Sequence, residues 1–170
     1  MTTDSSQATA GAFEKITVQF EDLDVYGMVH HGKYPLLFER AFMSYLTRMG
    51  YPSDPASGIR EGMVQVVRSM QLTYDIPITK FGEIHVQFWL DHAGDTSFTH
   101  KFVILSSDRT VVHASGTRGM VNLDARTLRP APLTPGLLEY SRPLMSDDLL
   151  VALEARMTPS ASPKRAAPGV

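Results

Sequence analysis

The 170-residue sequence predicts an α+β fold in which a curved antiparallel sheet of five or six strands wraps around one long helix. Two observations predict it. The hydrophobic period is two before residue 20, about 3.6 over residues 34–45, and two again from Gly62 onward. The single helix carries apolar residues on more than one side, which a curved sheet can cover and a flat one cannot.

The elements follow in order. Residues 13–20 form a strand. Tyr34, Leu37, Phe38, Ala41, Phe42 and Tyr45 then fall at i, i+3, i+4, i+7, i+8 and i+11, a helix of about four turns. Leu36 and Met43 add apolar groups on the opposite side and predict burial on more than one face. Val64, Val66, Met70, Leu72 and Tyr74 share one parity, Ile84, Val86, Phe88 and Leu90 a second strand's inward face, and Phe98, Phe102 and Ile104 a third. Val112, Ala114, Gly116 and Met120 complete a further strand, with turns at Phe81-Gly82, Gly94-Asp95 and Ser107-Asp108. Seven of the eleven prolines lie from Pro130 onward, so an extended wrap follows the last strand and ends in a short helix over residues 147–156. The reading divides the chain into a domain at 12–144, a helical segment at 145–157, and disordered ends at 1–11 and 158–170, where small and polar residues leave little to bury. The sequence shows no internal repeat.

Composition narrows the function. One domain with a sizeable core fits this length. Sixteen basic against eighteen acidic residues and no basic run leave no electrostatic footprint for nucleic acid. The lack of cysteine removes a disulfide framework, a thiol nucleophile and thiolate-bound zinc, and agrees with a reducing compartment. No run approaches the ~20 apolar residues that span a bilayer, and the first thirteen residues have neither an apolar core nor a basic start. The expectation is a cytoplasmic protein with no membrane or nucleic-acid partner. His85, His92, His100 and His113 alternate along strands without ligand spacing on a shared face, so no metal and no cofactor are assigned.

The chemistry concentrates in FEDLDVYGMVHHGKYPLLFERA, residues 20–41. Asp22 and Asp24 end an extended segment, Gly27 supplies a permissive backbone, and the helix opens near Gly32. A carboxylate beside the unpaired N–H groups of a helix start places a base or nucleophile next to an oxyanion donor. That arrangement suits acyl transfer.

The order Phe20-Glu21-Asp22-Leu23-Asp24, Gly27-Met28-Val29, Tyr34 and Phe38-Glu39-Arg40-Ala41 resembles the signature of the hotdog-fold 4-hydroxybenzoyl-CoA thioesterase family. The strand pattern extends the likeness to residues 12–129. The resemblance implies a hotdog fold, a site between two protomers of a homodimer or homotetramer, and an acyl-CoA or acyl-carrier-protein substrate. It also implies that Asp24, the second Asp of the pair, is the catalytic carboxylate, while Asp22 orders the turn. His31 precedes the helix, where its backbone N–H faces a bound carbonyl and its side chain is a candidate for positioning substrate or water. Gly27, Val29 and Gly32 shape the approach to the thioester. Tyr26, with Val25, stands where the family more often has small residues or proline, reshaping the acyl pocket. Pro35 sits in the first helical turn, where its missing N–H costs little, and Tyr34 belongs to the core. Glu39, at the margin of the helical stripe, matches an acidic residue that faces the acyl group's polar end and is the fallback catalytic carboxylate. The turn that is basic in the resembled enzyme reads HAGDTSF here, leaving Arg68, Lys101, Arg109 and Arg118 as phosphate partners.

The expected reaction is thioester hydrolysis, with Asp24 either attacking the carbonyl to give an anhydride or activating a water. Two other classes stay open: a dehydratase acting on hydroxyacyl thioesters, and a noncatalytic acyl-thioester-binding protein.

Overall fold

The computed structural model describes residues 11–51, 54 and 64–157. Residues 1–10 and 158–170, expected to be disordered, and the strand start expected at Gly62 lie outside the described residues. Strand β1 (Ala12–Val18) leads through a short turn region into helix α1 (Tyr34–Arg48), and β2 (Val64–Tyr74), β3 (Gly82–Ala93), β4 (Ser97–Leu105) and β5 (Val112–Leu123) follow. All pairings are antiparallel, and the five strands lie in the order β1-β3-β4-β5-β2. The sheet wraps α1, as the periodicities predicted.

The core forms where the helical stripe meets the inward rows of the sheet. Tyr34, Leu37, Phe38, Ala41 and Tyr45 of α1 are all buried. Phe38 stacks on Phe102 with ring centroids 4.4 Å apart and meets Phe88 edge-on at 5.7 Å, so one helix turn locks two central strands. Ile84, Val86, Phe88 and Leu90, and Phe98, Phe102 and Ile104, point inward as their parity required. In the single chain the helix buries one stripe only. Leu36 and Met43 are 46% and 50% exposed, because the sheet reaches around less than the full circumference of the helix.

Strand β2 departs from its expected register. A bulge between Val67 and Ser69 places one extra residue, Arg68, against β5, and a one-residue slip exchanges the faces. Met70 and Leu72 stay opposite the inward residues Arg118 and Gly116, while before the bulge it is Gln65 and Val67 that lie opposite Asn122 and Met120. Val64 and Val66, expected inward, therefore take the other face. Val112 likewise lies beyond an irregularity in the β4–β5 ladder and is 41% exposed.

Gly116 is where strand packing tolerates no side chain. A Cβ there would lie 2.3 Å from the Gln71 carbonyl oxygen and 2.8 Å from Phe102 Cζ. Gly116→Ala is expected to cost about 3 kcal/mol in urea unfolding, because the closest obstacle is backbone. A loss under about 1 kcal/mol would show that β2 and β5 separate readily there.

After β5 the chain doubles back, and Asn122 Nδ2 donates to the carbonyls of Ala131 and Pro132. The proline-rich wrap contains a helix the sequence reading did not anticipate, α2 (Pro135–Ser141), whose Thr134 cap accepts from Leu137 N–H. Helix α3 (Asp147–Met157) matches the expected terminal helix. No helix among the described residues is long and apolar enough to cross a membrane.

Candidate functional site

The segment between β1 and α1 is held by Asp22, which is fully buried. Its carboxylate accepts from Gln19 N–H at 2.8 Å and from both Arg40 terminal nitrogens at 2.5 and 2.9 Å, with Lys33 Nζ 4.0 Å away. Arg40 reaches back from the helix to make this fork. Burial pushes the Asp22 carboxyl up, but the Arg40 hydrogen bonds and the Gln19 N–H outweigh it and hold the group below its ordinary 3.8. Stability from this pair is therefore complete well above pH 3.8 and is lost as pH falls through the lowered folded value. Asp22→Ala is expected to cost about 3 kcal/mol at neutral pH, since it strands Arg40 and Gln19 N–H. Urea unfolding at neutral pH and again well below pH 3.8 checks this; a variant as stable as wild type at neutral pH would contradict it.

Asp24 sits two residues on, half-buried, in a miniature turn closed by the Leu23–Val29 bridge. Its Oδ1 accepts from Tyr26 N–H (2.8 Å) and Met28 N–H (3.2 Å), and its own N–H donates to Met28 O (2.7 Å). Gly27, at φ +73°, supplies the left-handed step. Oδ2 makes no hydrogen bond among the described residues. One oxygen is thus fixed by the turn and the other has no partner among the described residues.

The backbone donors of this loop are nearly all committed. Gly27 N–H donates to Asp24 O, Val29 N–H to Ile78 O, His30 N–H to Asp22 O, and Gly32 N–H to His30 Nδ1. Gly27, Val29 and Gly32 therefore shape the loop and do not present N–H groups to a ligand. His31 N–H is the donor from residue 26 to residue 32 that has no partner among the described residues. It opens a single 3-10 turn, His31–Lys33, that runs into α1. Its carbonyl accepts from Tyr74 OH at 3.2 Å, which ties the loop to the end of β2. The His31 side chain is exposed and its ring lies 4.1 Å from that of His30. Val25 and Tyr26 are 93% and 80% exposed. Tyr34 is buried as expected, and its phenol is pushed up by burial against an opposing backbone bond at Ile78.

Glu39 does not join this loop. It lies eight residues along the helix from His31, about 12 Å of rise, and its Oε1 pairs with Arg118 Nη1. Arg118, expected among surface phosphate partners, is 2% exposed, with its guanidinium 4.5 Å above the Phe38 ring and 4.6 Å above that of Phe42. Its strand parity with Gly116 and Met120 turns it into the core. Burial pulls its guanidinium down from the ordinary value, and Glu39 works against that. Lys101 is paired at 2.8 Å with Asp91 on the opposite face of the sheet, Arg68 is exposed at the β2 bulge, and the Arg109 guanidinium covers Phe13 at 4.9 Å. These four do not converge on one phosphate position in the chain.

Glu39 and Arg118 border a pocket of about 290 Å³ between the second half of α1, β2 and α2. Its other walls include Phe42, Met43, Leu46, Val67, Phe98 and Met120. None of its lining residues belongs to the Asp24 loop. Among the described residues no group of three side chains could hold a metal ion.

The geometry finds relatives at the level of sequence and fold. The family model described as the thioesterase-like superfamily matches residues 18–140. Among solved structures, the chain superposes on the PA5185 protein of Pseudomonas aeruginosa strain PAO1 with a TM-score of 0.72 and 23% identity, covering 83% of this chain and 96% of that one. A DHNA-CoA thioesterase of Staphylococcus aureus matches at 0.68 and 18%, over 86% and 94% of the two chains. A thioesterase of Thermus thermophilus, solved with coenzyme A and Zn, matches at 0.61 and 26%, over 78% and 92%. The first two likenesses establish the hotdog fold.

Proposed function

The chain belongs to the thioesterase-like superfamily, and we propose that it hydrolyses an acyl thioester of coenzyme A or of a carrier protein to the free acid and a thiol. The observation that carries this reading is the presence of one free carboxylate oxygen, Asp24 Oδ2, and one uncommitted helix-start donor, His31 N–H, in a loop whose other N–H groups from residue 26 to residue 32 are hydrogen-bonded. The thioester carbonyl oxygen accepts from His31 N–H, which lies at the positive end of α1 and favours the charge that develops on attack. Asp24 then takes one of two routes. Attack on the carbonyl carbon gives a mixed anhydride and expels the thiolate, and water cleaves the anhydride; alternatively Asp24 removes a proton from the water that attacks. Both routes consume one water per thioester.

The reading includes a homodimer. Strand β2 is an edge strand with Val66, Val67 and Tyr74 at 41%, 51% and 50% exposure, an edge suited to pairing with its own copy. Antiparallel pairing of two such edges sets the Tyr74 end of one strand beside the Val64 end of the other. Because Tyr74 holds the His31 loop and Gln65 and Val67 line the pocket, the loop of one protomer then faces the pocket of its partner. The acyl group would be cut on one chain and housed in the other.

Thiol release from a panel of aromatic, straight-chain and β-keto acyl thioesters, each offered on coenzyme A and on a phosphopantetheinylated carrier protein, tests the proposal. Release from at least one member is expected. Tight binding without release would favour the noncatalytic reading, and alkene formation from a hydroxyacyl thioester the dehydratase.

A further inference from the structure

The Arg118–Glu39 pair is an expensive way to build a pocket wall. A buried ion pair seldom stabilises a fold more than apolar residues of the same volume would. Here the environment is poor in compensation. Arg118 Nε is buried without a hydrogen-bond partner among the described residues, and so are both ring nitrogens of His100, its cross-strand neighbour. The rest of the row is apolar, with Leu90 and Met70 on either side and the Phe38 and Phe42 rings below the guanidinium. The two rings and Glu39 hold the guanidinium in place and leave Nε without a hydrogen-bond partner among the described residues.

The chemistry of the pair limits what it can recognise. Glu39 neutralises Arg118, so the wall carries no net charge with which to attract an anionic group, and a second carboxylate would be repelled by Glu39. The donors and acceptors are unbalanced. A guanidinium has five N–H donors, and among the described residues Glu39 takes only one nitrogen, Nη1. The Glu39 side chain is 40% exposed, so water serves its remaining lone pairs. The wall is therefore short of acceptors, and the ligand group that completes it is a neutral acceptor with no proton to place: a carbonyl oxygen.

Resting on the thioesterase reading above, we propose that Arg118 is a specificity-determining residue that hydrogen-bonds an oxo oxygen on the acyl group, which makes an oxoacyl thioester the substrate class of this pocket. The apolar walls at Phe42, Leu46, Phe98 and Met120 take the hydrocarbon on either side of that oxygen. Glu39 holds the guanidinium in place and acts through it, as a positioning residue. A plain acyl chain in the same pocket would cover Arg118 without pairing it.

The test compares kcat/KM for matched thioesters from hexanoyl to dodecanoyl, each offered on coenzyme A and on a phosphopantetheinylated carrier protein: plain acyl, oxoacyl with the oxo group stepped along the chain, and the corresponding hydroxyacyl. For at least one oxo position the wild type is expected to prefer the oxoacyl member by about 10-fold or more over both counterparts, mainly through KM. The double substitution Arg118→Met, Glu39→Leu, which replaces the pair by apolar groups, should erase that preference. Arg118→Lys, which keeps the charge and loses the planar fork, should reduce it. An oxo preference that survives the double substitution, a hydroxyacyl preference, or equal rates for all three would overturn the inference while leaving the hydrolase reading intact. Absence of thiol release from every member would instead remove the hydrolase reading, and this one with it.

Discussion

Asp24→Asn is expected to lower kcat about 1,000-fold while leaving the loop in place. The substitution is isosteric, and the side-chain oxygen that accepts from Tyr26 and Met28 N–H is retained in the amide, so the turn keeps both hydrogen bonds. What is lost is the charge and basicity of the second oxygen. A nucleophile or general base cannot do without them, and a factor of 1,000 corresponds to about 4 kcal/mol of transition-state stabilisation. Substrate binding, which the account assigns to the His31 N–H and the apolar pocket, should change little, so the loss belongs in kcat. A kcat within about tenfold of wild type would move the chemistry elsewhere.

Stability should fall as pH drops below 6.5, before any carboxylate is expected to contribute. His100 is 1% exposed, and burial together with the adjacent Arg118 charge lowers its pKa from 6.5 to about 3. Between those values the unfolded chain binds a proton that the folded chain refuses, so the stability present above pH 6.5 is progressively lost on acidification. One such proton gives a slope of about 1.4 kcal/mol per pH unit. The groups that face His100 are Arg118 on β5 and the rings of Phe38, Phe42 and Phe98, none of which titrates in this window. The Asp22, Asp108 and Asp124 carboxyls are all held below 3.8 and enter only at lower pH, and the exposed Glu83, held below 4.5 by Lys15, enters only at the foot of the window and equally in both proteins. His100→Leu should therefore flatten the decline between pH 6.5 and 4 by about one proton's worth, read from urea midpoints. An unchanged slope would show that His100 is protonated in the folded protein.

The parts of the fold that periodicity captures are those where nothing interrupts the ladder. Ile84 to Leu90 and Phe98 to Ile104 keep their parity from end to end, and their inward faces are as expected. Strand β2 breaks the rule at Arg68, because a bulge inserts a residue without altering the composition around it. Helix α2 left a readable trace, Thr134 followed by Pro135 at the first helical position, which the density of prolines concealed. At the site, the turn is visible in Asp24 and Gly27. The hydrogen bonds that occupy the other N–H groups from residue 26 to residue 32 are not, since partners such as Ile78 lie far away in the chain. The Glu39–Arg118 pair joins residues 79 apart. Its one local signal was Arg118 itself, a charged residue on an inward parity, which weighs more than its resemblance to a scattered surface base.

In the proposed hydrolysis the reacting carboxylate is Asp24 in the loop and not Glu39 on the helix. The direct measurement is kcat for wild type, Asp24→Asn and Glu39→Gln on one acyl thioester that the wild type hydrolyses, with the thermal midpoint of each protein recorded alongside. Asp24→Asn is expected to be nearly inactive and folded, and Glu39→Gln to turn over still. An inactive Glu39→Gln beside an active Asp24→Asn would contradict it and place the chemistry in the pocket.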